Sequence, residues 1–215
     1  MTPPPEGPTG RRPIAVPLVA LVAIAGLGVT AALGGFATAP EKPPKRLGQG
    51  ATVDQEQFTT TFVGSRTLSE PGLFGSPAKR FLEIELRVVN KGDETAITGL
   101  PYSGGLGGGS LGSSLLKINP AINGKYGASI FSPTGGGESV QLHPALPTSV
   151  VVKYELEDRQ RAPKQLTIDV GTYEWRDGVT LAPGWFLVTE DDAGTQKPVV
   201  TAQVTLPVVP KGTSS

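Results

Sequence analysis

Two patterns of hydrophobic positions divide this chain. From Ile14 to Ala39 the sequence is almost entirely apolar and contains no charged residue. At about 1.5 Å per residue a helix of this length spans roughly 39 Å, which exceeds the ~30 Å hydrocarbon core of a bilayer. The pattern therefore predicts one N-terminal transmembrane helix over residues 14–39, in contact with the lipid bilayer.

After residue 46 the pattern changes to short segments of strand type. The clearest runs from Arg80 to Asn90, where apolar residues occupy every second position. This period of two is typical of a strand with one buried face. No amphipathic helix separates the segments, so we predict an all-β fold, an antiparallel β-sandwich over residues 47–209. The other segments are 57–66, 95–97, 115–118, 129–131, 150–156, 165–170, 184–189 and 199–208.

The flanking segments differ from both patterns. Residues 1–13 are rich in Pro and Gly and have too few apolar side chains to fold, which predicts a disordered cytoplasmic tail. Residues 40–46 are Pro-rich and charged, which predicts an extended linker. Residues 210–215 are predicted to be a disordered C-terminus.

The orientation of the predicted helix is weakly encoded. Two arginines precede the segment and three basic residues follow it, so the positive-inside rule gives nearly a tie. A short N-terminal tail usually stays inside, so we expect a single-pass cell-membrane protein with an extracytoplasmic C-terminal domain. Residues 37–39 match a signal-peptidase site, but Pro40 obstructs it. An uncleaved anchor is preferred, and a cleaved secreted protein is the alternative.

Composition narrows the possible functions. Of 215 residues, 29 are Gly and 21 are Pro, which disfavours long soluble helices. The 19 basic residues balance 19 acidic ones without long runs of either sign, so no nucleic-acid partner is expected. The chain has no Cys, which removes disulfides, thiol catalysis and thiolate metal sites.

Four features of the sequence are candidates for binding or catalytic chemistry. Residues 107–112 spell G-x-G-x-x-G, but without a strand before and a helix after they predict a mobile loop, or one that orders on a partner. His143 is the only histidine and is typical of a surface position. Residues 190–192 offer carboxylates without the spacing of a calcium loop, which indicates a solvated acidic turn. Trp175 and Trp185 are more typical of core or edge-covering residues than of ligand platforms.

Residues 169–173 read D-x-G-x-Y, the spelling of a tyrosine corner, in which the Tyr hydroxyl bonds back to the chain. The Cys that normally follows is missing. A chance match therefore stays open beside the tyrosine corner.

Three motifs carry a resemblance to a known family: Leu47-Gly48-Gln49-Gly50 entering a strand, the run from Phe81 to Glu94, and Leu142 to Pro147 before a strand. Their order resembles a family of bacterial extracytoplasmic immunoglobulin-like domains of unknown function, similar in style to small secreted immunogenic proteins of mycobacteria. The resemblance covers residues 47–209. It implies an immunoglobulin-like sandwich outside the membrane and no catalytic residues.

We therefore expect a membrane-anchored binding module of the cell envelope, whose partner is an unknown protein or envelope component. No catalytic, cofactor-binding or metal-binding residue is assigned, and no cofactor is expected. The alternatives are an envelope enzyme, an accessory subunit of one, or a purely structural envelope protein.

Overall fold

The computed structural model describes residues 43–72, 76–104, 108–122, 124–135, 137–157, 160–178, 182–192 and 194–210. From Pro43 onward these residues belong to one compact unit. The predicted tail (1–13), transmembrane helix (14–39) and last five residues (211–215) lie outside the described ranges. Within those ranges, the structure contains no helix with the length and apolar character needed to cross a membrane.

The regular structure of the described residues is almost entirely β-strand, which confirms the all-β prediction. Each of the nine segments predicted as strands overlaps a strand. A 3-10 helix, Leu111–Ser114, precedes β6. The strands are β1 (Lys45–Leu47), β2 (Thr52–Asp54), β3 (Phe58–Glu70), β4 (Lys79–Asn90), β5 (Ala96–Ile97), β6 (Leu115–Asn119), β7 (Gly124–Thr134), β8 (Gly137–Ser139), β9 (Gln141–Leu142), β10 (Thr148–Leu156), β11 (Gln165–Val170), β12 (Tyr173–Arg176), β13 (Gly184–Leu187), β14 (Thr189–Asp192), β15 (Thr195–Pro198) and β16 (Ala202–Pro210).

Ten strands form one curled, mixed sheet. Its order is β6-β11-β16-β3-β4-β10-β7-β8, with β1 beside β16 and β2 beside β3. The prediction of an antiparallel arrangement is wrong at two pairs, because β16 runs parallel to both β1 and β3. The reason is topological. These pairs join the two ends of the domain, where no hairpin imposes the antiparallel direction, and local alternation carries no information on strand direction.

The core lies between the curled halves of the sheet, and β4 is its centre. The predicted alternation is confirmed, since Leu82, Ile84, Leu86 and Val88 are all completely buried. They pack with apolar side chains from β11 and β16 into one cluster. The opposite face of β4 is more buried than predicted. Glu83 is only 8% exposed, because the neighbouring strands cover it and Arg66 and Lys153 pair with it at 2.9 and 3.9 Å.

Both ends of the folded domain differ slightly from the prediction. Lys45 and Arg46, assigned to the linker, belong to β1, and Pro210 belongs to β16. β1 joins the sheet through backbone pairing with β16, while the side chains of Lys45 and Arg46 stay exposed. Because β1 is held by backbone hydrogen bonds, its sequence shows no hydrophobic alternation. The sequence pattern therefore does not reveal that the domain begins at Lys45.

Tyr173 is a core residue and not a tyrosine corner. It is 1% exposed, and its ring meets the Phe58 ring edge to face at 5.7 Å. Its hydroxyl donates a hydrogen bond to the carbonyl oxygen of Ser110, which lies 63 residues earlier, whereas a tyrosine corner bonds only a few residues upstream. Burial raises the pKa of Tyr173, so the hydroxyl remains a donor. The side chain therefore ties β12 to the connection before β6.

Replacing this donor tests the tie. We expect Tyr173→Phe to lower the free energy of unfolding by about 1 kcal/mol, because it removes one buried hydrogen bond and keeps the ring packing. Tyr154→Phe is the matched control. Tyr154 is also buried, and burial alone raises its pKa to about 12, without a hydrogen bond to the described residues. Urea denaturation measures both variants, and equal losses would contradict the assigned role of Tyr173.

Candidate functional site

A cleft of about 610 Å³ opens where three distant segments meet. We call it the tryptophan cleft. One side is the turn after β4, another is Gly108-Gly109 ahead of the 3-10 helix, and the third is the β12–β13 hairpin. The lining residues are Gln57, Asn90, Lys91, Gly92, Asp93, Glu94, Thr95, Ala96, Gly108, Gly109, Trp175, Pro183, Gly184, Trp185 and Phe186.

The aromatic wall consists of Trp175 and Trp185. They lie directly opposite each other on β12 and β13, with ring centroids 5.7 Å apart at an angle of 75°. Trp185 packs partly against the core, but Trp175 is 53% exposed. The expectation of a core position is therefore wrong for Trp175, while the edge-covering alternative stays a prediction. Its strand belongs to a separate two-stranded sheet, which leaves much of the indole open to solvent.

The turn after β4 is fixed by Asn90, which is 1% exposed. Its Nδ2 donates to the carbonyl oxygens of Glu94 and Leu142 at 2.8 and 2.9 Å, and its Oδ1 accepts from the Gly92 N–H at 3.0 Å. The amide thus uses both its donor and its acceptor atoms. A Cβ at Gly92 would lie 3.3 Å from Trp185 Nε1, so the turn packs closely against the indole. This framework positions Asp93 and Glu94 at the cleft.

The charges at the cleft leave an excess of negative charge. Lys91 Nζ bonds both carboxylate oxygens of Asp54, at 2.8 and 3.0 Å. This hydrogen bond lowers the pKa of Asp54 below its ordinary value, so both groups of the pair stay charged and cancel. Asp93 and Glu94 are exposed, and among the described residues no lysine or arginine pairs with either carboxylate. Two uncompensated negative charges therefore remain in the lining.

Gln57 places an unused acceptor in the same lining. The residue is 5% exposed, and its Nε2 donates to the Gly109 carbonyl oxygen at 3.0 Å. Its backbone carbonyl accepts from the Lys91 N–H at 2.8 Å. The side-chain Oε1 is buried and has no partner among the described residues. A buried acceptor without a partner costs about 1–3 kcal/mol, which a donor on a bound ligand would offset.

The glycine-rich segment has a packing role. Leu111 and Gly112 are buried in a 3-10 helix, so the prediction of a mobile loop is wrong for this end of the motif, and residues 105–107 lie outside the described ranges. A Cβ on Gly112 would lie 2.5 Å from the Leu100 carbonyl oxygen. The helix that follows has only four residues, too few to form the helix N-terminus that a dinucleotide site requires.

The other candidate residues, His143 and residues 190–192, lie outside the lining of the tryptophan cleft. His143 is outside the lining, with its Nδ1 3.0 Å from Thr95 Oγ1. Residues 190–192 are exposed as predicted, but they form strand β14 and not a turn, because they pair with β15. Asp191 accepts from the Gly194 N–H at 2.7 Å, and Asp192 pairs with Lys197. In the described part of the chain, no three carboxylate or histidine groups are placed to hold a metal ion.

Sequence reasoning missed the cleft because its residues come from segments far apart in the chain. One local signal was available. Trp175 and Trp185 flank Asp177-Gly178 and Pro183-Gly184, both turn signals, so a hairpin pairing them across strands was predictable. No comparable signal marks Gln57, Asp93 or Glu94, because only the fold brings them to the hairpin.

Comparisons with known proteins add no family to this description. No protein-family model matches the chain, and no curated protein matches it either. The resemblance to extracytoplasmic immunoglobulin-like domains therefore stays a prediction. Fold and site together define the class as an all-β domain with a tryptophan-lined cleft.

Two glycines of the G-x-G-x-x-G motif provide a test of the packing role. We expect Gly112→Ala to destabilise the domain by about 1–3 kcal/mol, because the new methyl group would overlap the backbone of Leu100. Gly108→Ala is the control. No atom lies within 4 Å of its added Cβ, so the change should stay within about 0.5 kcal/mol. Thermal and urea unfolding measure both, and the reverse ranking would show that the packing role is misassigned.

Proposed function

We propose that this chain is a single-pass membrane protein that displays an immunoglobulin-like β-sandwich outside the cell and binds an envelope component in the tryptophan cleft. The observation that carries the proposal is the cleft itself. It combines, in one concavity, a half-exposed indole with a buried amide oxygen that has no partner among the described residues. Aromatic surface with a few convergent polar groups is the usual composition of a ligand site.

Binding is favoured over catalysis by the kinds of groups in the lining. The cleft presents indole rings, amides and exposed carboxylates, while the only histidine of the chain lies outside it. The Asn90 and Gln57 side chains are used to hold the walls in place. Such a pre-formed, rigid site suits recognition, because little ordering is needed when the ligand binds.

The sandwich and the anchor have separate support. Packing of β4 and β10 against β11 and β16 around one core is the layering expected of a sandwich. The 14–39 segment has the length and apolar character of a membrane span. An anchor next to a binding domain fixes where that domain meets its ligand.

Cysteine labelling tests the topology, because the chain has no Cys of its own. We expect a membrane-impermeant maleimide to label Thr195→Cys, an exposed position on β15, in intact cells. Thr2→Cys in the N-terminal tail should react only after lysis. The opposite labelling would overturn the exported topology, and loss of the Thr2→Cys site from the mature chain would overturn the uncleaved anchor.

Co-sedimentation of the full-length protein in detergent with washed envelope particles tests binding at the cleft. We expect Trp175→Ala to weaken sedimentation by at least about fivefold, because it removes the exposed aromatic surface on which such a site depends. Tyr126→Ala is the control, since Tyr126 is 75% exposed and lies outside the lining. If the wild-type chain stays in the supernatant, the cleft is not an envelope-binding site. The same conclusion follows if the wild-type chain sediments and both variants sediment equally well.

A further inference from the structure

The tryptophan cleft offers acceptors and negative charge but little that would attract an anion. Its one lysine, Lys91, is already neutralised by Asp54 at 2.8 Å. Asp93 and Glu94 are uncompensated by any described cation, and the buried Gln57 Oε1 has no donor among the described residues. Three acceptors, the two carboxylates and the buried amide oxygen, are therefore left to a ligand, and they favour a ligand that donates hydrogen bonds.

The aromatic wall favours a cation in the same place. The face of an indole attracts cations more strongly than any other side-chain ring, through its negative quadrupole. Cations of the chain already lie over two phenylalanine rings: Lys153 is 4.2 Å from the Phe81 centroid, and Arg176 is 5.6 Å from that of Phe186, which belongs to the lining. Among the described contacts, none places a cation of the chain over Trp175 or Trp185. The indoles are therefore open to a cation from outside.

We propose that the cleft binds a primary ammonium group carried on an alkyl chain, as in the side chain of a lysine-type residue of a peptide. This inference rests on the proposed function. The –NH₃⁺ group would lie against the indole faces beside Asp93 and Glu94 and donate to Gln57 Oε1, and the alkyl chain would contact the rest of the aromatic wall. A primary ammonium carries both the charge and the N–H donors that these groups require.

Neighbouring ligand chemistries meet only part of this requirement. A quaternary ammonium supplies charge without N–H donors, and an acylated amine supplies one donor without charge. A neutral saccharide can stack on indole and donate from its hydroxyls, but it gains nothing from the two carboxylates. A phosphoethanolamine headgroup carries the right amine next to a phosphate, which the carboxylates would repel. A peptide amine is therefore the favoured source.

Tryptophan emission gives a direct readout, because the two tryptophans of the chain both line the cleft. We would titrate the full-length protein in non-ionic detergent with Nα-acetyl-lysine methylamide. The Nε-trimethyl analogue, the Nε-acetyl analogue, phosphoethanolamine and an N-acetylglucosamine tetramer are the comparison probes. The free amine should bind most tightly, and acetylation should lower the binding affinity by about tenfold because the charge is lost. Trimethylation should also lower the binding affinity measurably, but by less than acetylation does.

Charge removal on the protein provides the second arm. The double substitution Asp93→Asn and Glu94→Gln should weaken binding of the free amine by about fivefold and leave binding of the acetylated probe unchanged. Both carboxylates are exposed, so their replacement should not disturb the packing of the domain. Glu138→Gln is the control, since Glu138 is exposed and lies outside this lining. Added salt should weaken only the free amine and the trimethyl probe.

The outcomes separate this inference from the proposed function. If the acetylated probe, phosphoethanolamine or the saccharide binds as tightly as the free amine, the ammonium assignment is wrong while the binding role stands. The same holds if envelope particles bind through Trp175 but no amine perturbs the emission. If neither particles nor any probe binds, the proposed function fails as well.

Discussion

Gln55 provides the hydrogen-bonded connection on which the rest of the site depends. Its side chain is completely buried, and its Nε2 donates to the Gly171 carbonyl oxygen at 3.1 Å while its Oε1 accepts from Thr60 Oγ1 at 2.6 Å. Its backbone carbonyl also accepts from the Tyr173 N–H at 3.1 Å. One residue thus joins the turn before β3 to the connection between β11 and β12. Removing such a side chain would leave several buried polar groups without partners, which makes the joint costly to break.

This connection determines where the cleft forms. It fixes the start of β12, and therefore the hairpin that carries Trp175, against the turn that leads into β3. Glu56 in that turn has a φ of 64°, a conformation costing of order 1 kcal/mol that persists only where the surroundings enforce it. The backbone carbonyl of the next residue, Gln57, accepts a hydrogen bond from the Lys91 N–H, and its side-chain Nε2 donates one to the Gly109 carbonyl oxygen. Local strain and buried amides together hold all three walls of the cleft.

The chemistry of the cleft follows from how these amides are used. The Asn90 side chain hydrogen-bonds within the turn that presents Asp93 and Glu94, whereas Gln57 Oε1 is a buried acceptor with no donor among the described residues. The exposed carboxylates are weakly coupled to the fold, since surface charges contribute little to stability. Aromatic surface, one acceptor and two charges thus remain for a ligand on a rigid frame. This division between holding and binding groups supports a recognition module better than an enzyme.

The all-β character and the centre of the core can be read from the amino-acid sequence. A strand such as β4 shows its buried face through alternation, because side-chain direction along a strand is a local property. The turn at 90–94 was also readable, since Asn and Gly have local conformational preferences. Three features emerge only in the folded chain: β16 pairs in parallel with β1 and β3, Trp175 is exposed, and Gln57 lines the same cleft. The parallel pairs join residues 157 and 143 positions apart, and Gln57 precedes Trp175 by 118 positions. No local pattern encodes which distant segments meet.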